Sequence, residues 1–453
     1  MSWVLAHLTV IGVGAAFLVS LILIVACTAS MTFVSPVHLY FYFYSFYVLI
    51  WVVLLHASGE PTYVGSASVD TTSPVTAWLV GIGLLCFSLG AVAVAVGSGF
   101  RPTEALASYR ARALVSDVND DASVVALMII FALGAGLAVS FFVMKGIPLA
   151  AYLEAGSDSH FFRAMSEARA ESLVGSGYLM QGITTILPIG ILLLSAHAAT
   201  VQRWPLTALA LLCVVGVIAA MFSLTSRGHF VMFLVLLFVV NQTVRGGVKW
   251  KRMVTWIIVS FLLFSISSLV KFGLIEQWTG LGPAMAASVT ILADRLALGV
   301  RQLYALVSIF PREHDFLLGR GLFWDVRALL PGADIGFNRW AFDLLYPASA
   351  VPANITPTSV GEWYANFGVA GVVMGSAMLG AILQFTHQCL LKPGLWLSAR
   401  VSLVFLAAYE AKSAINGQGA VAEPLISGIM TILLFFLIRW FLRGGVKGAR
   451  SWP

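Results

Sequence analysis

The sequence predicts an all-α polytopic membrane protein with about eleven transmembrane helices. Three observations predict it. Hydrophobic residues make up 60% of the 453 residues and charged residues only 10%, against about 45–50% and about 25% in soluble domains. Apolar runs of roughly 20 residues recur, each long enough to cross a bilayer as a helix. Lysine and arginine collect in alternate short loops between those runs.

By hydropathy the spans lie near 5–29, 34–56, 75–98, 123–145, 173–197, 206–225, 229–244, 253–273, 366–388, 398–415 and 422–441. The first run lacks a basic start and a small-residue cleavage site, so it reads as a retained helix rather than a signal peptide. The second carries "LYFYFYSFYVLIW". Packing and interfacial aromatics explain that stretch more simply than a surface for a lipid-like ligand. Cys27, Cys86, Cys213 and Cys389 have neither metal nor disulfide spacing and read as small buried packers.

Orientation follows from the loops. Arg101, Arg110 and Arg112, then Arg203, then "RGGVKWKR" at 245–252, then Lys392, and finally the tail "RWFLRGGVKGARSWP" fall on one side if the spans alternate. The opposite loop 57–74 has no lysine or arginine. The basic side is therefore cytoplasmic, which puts the C-terminus inside and, with an odd span count, the N-terminus outside. With no repeat, low-complexity tract or soluble boundary, residues 1–453 read as a single membrane domain. It carries one large outer insertion, 274–365, between the eighth and ninth spans. The net charge of +6 is explained by topology and does not call for nucleic acid.

Three outer segments carry charge that topology does not explain. "TSRGHF" at 225–230 sits between two runs so close that a tight turn at 225–229 is expected. Gly228 is suited to positive φ there, with Arg227 and His229 at or below the headgroup level. The segment 146–172 is polar, with Arg163 beside Phe161 and Phe162. The long insertion opens with a predicted helix over about 284–310, on which Asp294, Leu298, Arg301 and Ala305 share a face. It continues through a Gly-, Pro- and aromatic-rich stretch containing Arg320, Trp324, Arg327 and Arg339. It ends in "TPTSVGEWYANFG", where Thr358 or Ser359 is positioned to cap a helix with Glu362 in its first turn. Glycines 368, 371, 375 and 380 follow, spaced for close helix packing. Arginine's planar fork suits phosphate oxygens. A phosphate at membrane level belongs most naturally to a lipid-linked substrate. No P-loop, dinucleotide fingerprint, zinc-protease motif or nucleophile elbow is present.

"TPTSVGEWYANFGVAGVVMG", "SRGHF" between two central spans and "FFRAMSEARAESLVGSGYL" before the fifth span resemble the Wzy-type O-antigen and oligosaccharide repeat-unit polymerases. The resemblance implies a GT-C-like glycosyltransferase of the bacterial inner membrane. It would move a growing glycan from undecaprenyl pyrophosphate onto a new lipid-linked repeat unit at the periplasmic face. Its partners would be the bilayer, a chain-length regulator and a repeat-unit flippase. No cofactor and no metal are expected.

On that footing Arg227 is the leading group for stabilising charge on the leaving pyrophosphate, assisted by Arg320, Arg301, Arg163 and Arg327. Glu362 and His229 are the leading bases for the acceptor hydroxyl, ahead of Asp325 and Glu154. Trp324, Tyr364 and Asn366 are positioned to hold sugars. An O-antigen ligase-like transferase has nearly the same needs. A lipid-linked oligosaccharide flippase is the other class, and its usual signs are internal repeats and broken helices. No repeat is visible, and charges within spans are scarce, with Lys271, Glu410 and Lys412 near outer span ends.

Overall fold

The computed structural model describes residues 2–30, 35–59, 62–64, 67–111, 121–147, 177–224, 227–246, 254–256, 258–260, 262–265, 281–327, 336–347 and 354–449. In chain order the helices are α1 Ser2–Thr28, α2 Pro36–Ser58, α3 Pro74–Gly97, α4 Pro102–Arg110 and α5 Asp121–Lys145. Next come α6, running from Gly177–Gln181 through the π turn Gly182–Ile186 to Leu187–Val201, then α7 Trp204–Ser223, α8 Arg227–Arg245 and the short apolar α9 Val254–Ser265. The rest are α10 Leu281–Ile309, α11 Arg320–Arg327, α12 Phe337–Leu345, α13 Thr358–Leu391, α14 Leu397–Asn416 and α15 Gly419–Ala449.

Local chemistry sets several starts. Ser35 Oγ accepts from the His38 N–H while His38 Nδ1 accepts from the Ser35 N–H (3.3 Å), a reciprocal cap that opens α2 ahead of Pro36. Prolines in the first turn open α3 and α7, where a missing N–H costs nothing. The all-helical expectation needs one small correction. The polar loop after α2 holds an antiparallel hairpin, β1 Thr62–Val64 with β2 Ala67–Val69, in register Thr62↔Val69.

Among the described residues, nine helices are long and apolar enough to cross a membrane. The chain is an all-α polytopic membrane protein. Two expected spans are not among the nine. The eighth, 253–273, is represented by the shorter α9, and residues 266–273 lie outside the described residues. The tenth corresponds to α14, which has the length but carries Arg400, Glu410 and Lys412.

The chain forms two compact units built from interleaved stretches. The first comprises Met1–Tyr109, Ile291–Pro393 and Ala407–Glu423. In it α3 packs against α1 and α13. A Cβ at Gly90 would collide with the Ala377 carbonyl, and one at Gly380 with the Phe87 carbonyl, so the α3 and α13 backbones touch. Tyr40 of α2 is buried and stacks on Phe87 at 4.1 Å, so this aromatic run serves packing. Cys27 is buried, the other three cysteines are half-buried, and all four thiols are free.

The second unit comprises Arg110–Thr290, Gly394–Leu406 and Pro424–Pro453. Here α5 and α6 meet at glycines: a Cβ at Gly182 would lie 2.8 Å from the Gly134 carbonyl oxygen. Arg439 stands over the Trp396 ring at 5.0 Å. "TSRGHF" departs from expectation in this unit. Arg227, Gly228 and His229 form the first turn of α8, and Gly228 is not in the left-handed region. One glycine costs a helix about 1 kcal/mol. The buried row Phe230, Phe233, Leu234 and Leu237 holds the turn in place.

Candidate functional site

A hydrogen-bonded polar cluster lies in the first unit and is organised by a break in α13. Gly368 has φ 66° and ψ −151°, a region essentially reserved for glycine. It divides α13 into an arm, 358–367, and a limb, 369–391. The arm folds back on the limb. A Cβ at Gly371 would collide with the Trp363 carbonyl, and one at Gly375 with the Trp363 ring. In a straight helix residues 363 and 375 would stand roughly 18 Å apart at about 1.5 Å per residue. The limb's 23 residues by themselves span about 34 Å, enough for a bilayer core of about 30 Å.

Both ends of the arm are tied. Thr358 Oγ1 accepts from the Gly361 N–H at 3.2 Å, the cap the sequence anticipates. Thr358 reaches that position at φ 64°, unusual for a β-branched residue. At the other end the carbonyls of Ala365 and Asn366 accept from the Leu317 and Leu318 N–H groups at 3.0 and 2.8 Å. A helix end leaves such carbonyls unpaired, and here the insertion supplies the donors.

Three buried side chains then occupy the starts of three helices. Asn366 donates to the Glu362 carbonyl at 2.9 Å and accepts from the Gly321 N–H of α11 at 3.1 Å. Asp325, on the same face of α11 as Gly321, accepts from the Phe337 N–H that opens α12 at 2.8 Å. Glu362 Oε2 accepts from the N–H groups of Gln418 and Gly419, where α15 begins. An acid suits each of the last two places, because a helix start carries partial positive charge. Glycine is required around them: a Cβ at Gly417 would strike the Glu362 carboxyl, and one at Gly419 the Asp325 carboxyl.

The carboxyls of Asp325 and Glu362 lie against each other. Glu362 is 0% exposed. Neither Asp325 Oδ2 nor Glu362 Oε1 has an N–H or O–H donor, nor does the buried Asn338 Oδ1 close by in sequence to Phe337. A proton held between the two carboxyls satisfies both free oxygens. Burial accordingly pushes the Asp325 carboxyl above the usual carboxylate range.

Seven of the predicted site residues converge on this junction, Asp325 among them. Glu362 and Asn366 are within it. Tyr364 donates to the Phe310 carbonyl at 3.3 Å. Trp324 lies 5.2 Å from Trp340, ring to ring. Arg320 and Arg327 are exposed at the two ends of α11. Arg301, on the predicted face of α10, pairs with Asp294 at 3.1 Å. Arg227 and His229 belong to the second unit, where His229 is half-buried. Arg163, Glu154 and Lys271 lie outside the described residues. Lys412 is buried, its ammonium 5.6 Å from the centre of the Tyr409 ring. Sequence reasoning missed Asn338, the Gly417–Gln418–Gly419 turn and the break at Gly368. The GQG triplet was the available signal, since it precedes a helix. The chain matches no protein-family model, no curated protein and no solved structure.

Proposed function

We propose that this chain is a polysaccharide polymerase of the GT-C-like kind, an eleven-span protein of a bacterial inner membrane. It transfers a growing glycan from undecaprenyl pyrophosphate onto a new lipid-linked repeat unit at the periplasmic face. The N-terminus lies outside and the C-terminus inside. The observation that carries this reading is the junction just described. Residues far apart in the insertion and the "GEWYANFG" stretch meet on one docked assembly, with arginines and tryptophan at its edge and acids at its centre.

In this reading Arg301, Arg320 and Arg327 offer positive charge to the pyrophosphate as it leaves. The bond broken joins the sugar's anomeric carbon to the pyrophosphate oxygen. The bond made joins that carbon to the acceptor hydroxyl oxygen, whose proton passes to a base. Glu362 and Asp325, closed off from solvent by the fold, hold the insertion's helices to the arm and so position Trp324, Tyr364 and the α11 arginines. Trp324 is suited to stack on a sugar ring.

One observation favours a second reading. Broken helices are common where transporters bind substrate, and α13 is broken at Gly368. A single assay separates the two. Purified protein in liposomes receives an undecaprenyl-pyrophosphate repeat unit, with and without EDTA, and product length is read on a gel. A ladder from the wild type that is lost in Arg301→Ala at equal protein level supports the polymerase. Movement of the lipid across the liposome without a ladder supports a flippase, and a single transfer to another acceptor supports a ligase-like enzyme.

A further inference from the structure

The exposed face of α11 is built for a surface other than water. At about 100° per residue, Gly321 and Asp325 point the same way, and both are buried against the arm and the α15 start. Phe323 stands directly opposite them. Val326 lies on one side of Phe323, and Arg320 and Arg327 lie on the other. Phe323 is 64% exposed and Val326 61%, and Leu318 just before the helix is 77% exposed. Three large apolar side chains thus crown an eight-residue helix that crosses nothing.

Their position explains them. The limb of α13 exposes Met374, Met378, Ile382 and Phe385 at three- and four-residue spacing, a row that faces lipid in a span of this length. The row ends at the break. Phe367, also exposed, is the last residue before it. A Cβ at Gly319 would lie 3.1 Å from the Phe367 ring, so α11 starts beside the end of that row. The apolar crown of α11 continues the lipid-facing surface past the end of the span, and its two arginines border the crown.

We propose that α11 lies in the plane of the membrane, with Leu318, Phe323 and Val326 at the headgroup–acyl boundary and Arg320 and Arg327 on phospholipid phosphates until a lipid-linked substrate takes their place. An amphipathic helix with arginines beside a bulky apolar face has the chemistry of an interfacial element. The guanidinium fork makes two hydrogen bonds to a phosphate, and arginine reaches the headgroup while its stem stays in apolar surroundings. The occupant is the phospholipid surface itself. This placement holds whether or not the chain polymerises glycans. It would also set the insertion's aromatic cluster in the layer where any lipid-borne phosphate travels.

The test uses the full chain in nanodiscs of phosphatidylethanolamine and phosphatidylglycerol. A photo-crosslinking benzoylphenylalanine is installed at position 323, at 326 or, as an exposed control, at Glu313. Intact mass after illumination reads the adduct. The expected result is a phospholipid adduct at 323 and 326 and none at 313. A companion variant, Arg320→Gln, is expected to lose most of the 323 adduct, with thermal melting unchanged because the side chain is exposed. No lipid adduct at 323 and 326, or a crosslink to a second copy or another protein there, overturns the proposal. So does an adduct at 313 equal to that at 323.

Discussion

The Asn366 side chain links two helices that the sequence keeps far apart: it donates to the Glu362 carbonyl inside the arm and accepts from the Gly321 N–H at the start of α11. Through it the folded-back arm and the insertion become one hydrogen-bonded body. Asp325 and Glu362 extend that body to α12 and α15.

The two acids are predicted to differ sharply in which replacements they accept. Glu362→Ala leaves the Gln418 and Gly419 N–H groups and the Asp325 carboxyl without their partner in a buried place. Leaving a buried donor or acceptor unsatisfied costs about 1–3 kcal/mol each. Glu362→Gln keeps an acceptor for the N–H groups and a donor for Asp325, so it is expected to cost about 1 kcal/mol. Thermal melting in detergent, read against Asn366→Ala, checks the ordering. Equal losses for the alanine and glutamine variants would refute it.

Acid is expected to stabilise the junction. Burial raises the Asp325 carboxyl from 3.8 to about 6. The folded state therefore binds a proton more tightly than the unfolded chain. Stability from this group is full at low pH, falls as pH climbs from 3.8 to about 6, and is level above. Asp325→Asn removes the slope. Melting curves of wild type and Asp325→Asn across that range test the sign. A wild-type stability that rises with pH while the variant stays flat would contradict it.

Gly368→Ala and Gly380→Ala should fail in different ways. Alanine at 368 must adopt φ 66° and press its methyl against Phe316 at 3.0 Å, at a backbone cost of about 1–3 kcal/mol. The arm should detach while the limb stays helical, so limited proteolysis cuts within the insertion. Alanine at 380 meets the Phe87 carbonyl and pushes α3 from α13. That variant should lose overall melting temperature without new cleavage in the insertion.

Thr358 combines a useful cap with an uncomfortable backbone. Asparagine keeps a side-chain oxygen for the Gly361 N–H and tolerates positive φ, so Thr358→Asn is expected to raise the melting temperature. Thr358→Val keeps the strain, loses the acceptor and should cost about 1–2 kcal/mol. A stabilised valine variant would show that the cap is not made.

The helices were legible because hydropathy reads burial in lipid directly. The α10 face with Asp294 and Arg301, and the Thr358 cap, were legible because both are contacts between residues near in sequence. The fold-back was not. Glycines 368, 371, 375 and 380 look alike in the sequence, yet one breaks the helix, two receive Trp363 and one receives Phe87. Only partners elsewhere in the chain tell them apart. In "TSRGHF" the break between two helices was legible, since α7 ends at Ser223 and α8 begins at Arg227, but Gly228 lies inside the helix because the apolar face following it outweighs one unfavourable residue. Asp325 and Glu362 could be singled out as acids, but their contact depends on the Gly417–Gln418–Gly419 turn, and no local pattern brings that turn to them.

The arm also has a history imposed by synthesis. Glu362 leaves the ribosome more than fifty residues before the two N–H groups that satisfy it, since Gln418 and Gly419 lie 56 and 57 residues further on. At an elongation rate of about 5–20 residues per second, this acid waits several seconds without its partners. During that interval α13 is a nascent segment with an unmatched acid near one end. Completion of α14 and the start of α15 is then the event that locks the arm, which makes this junction a checkpoint late in biogenesis.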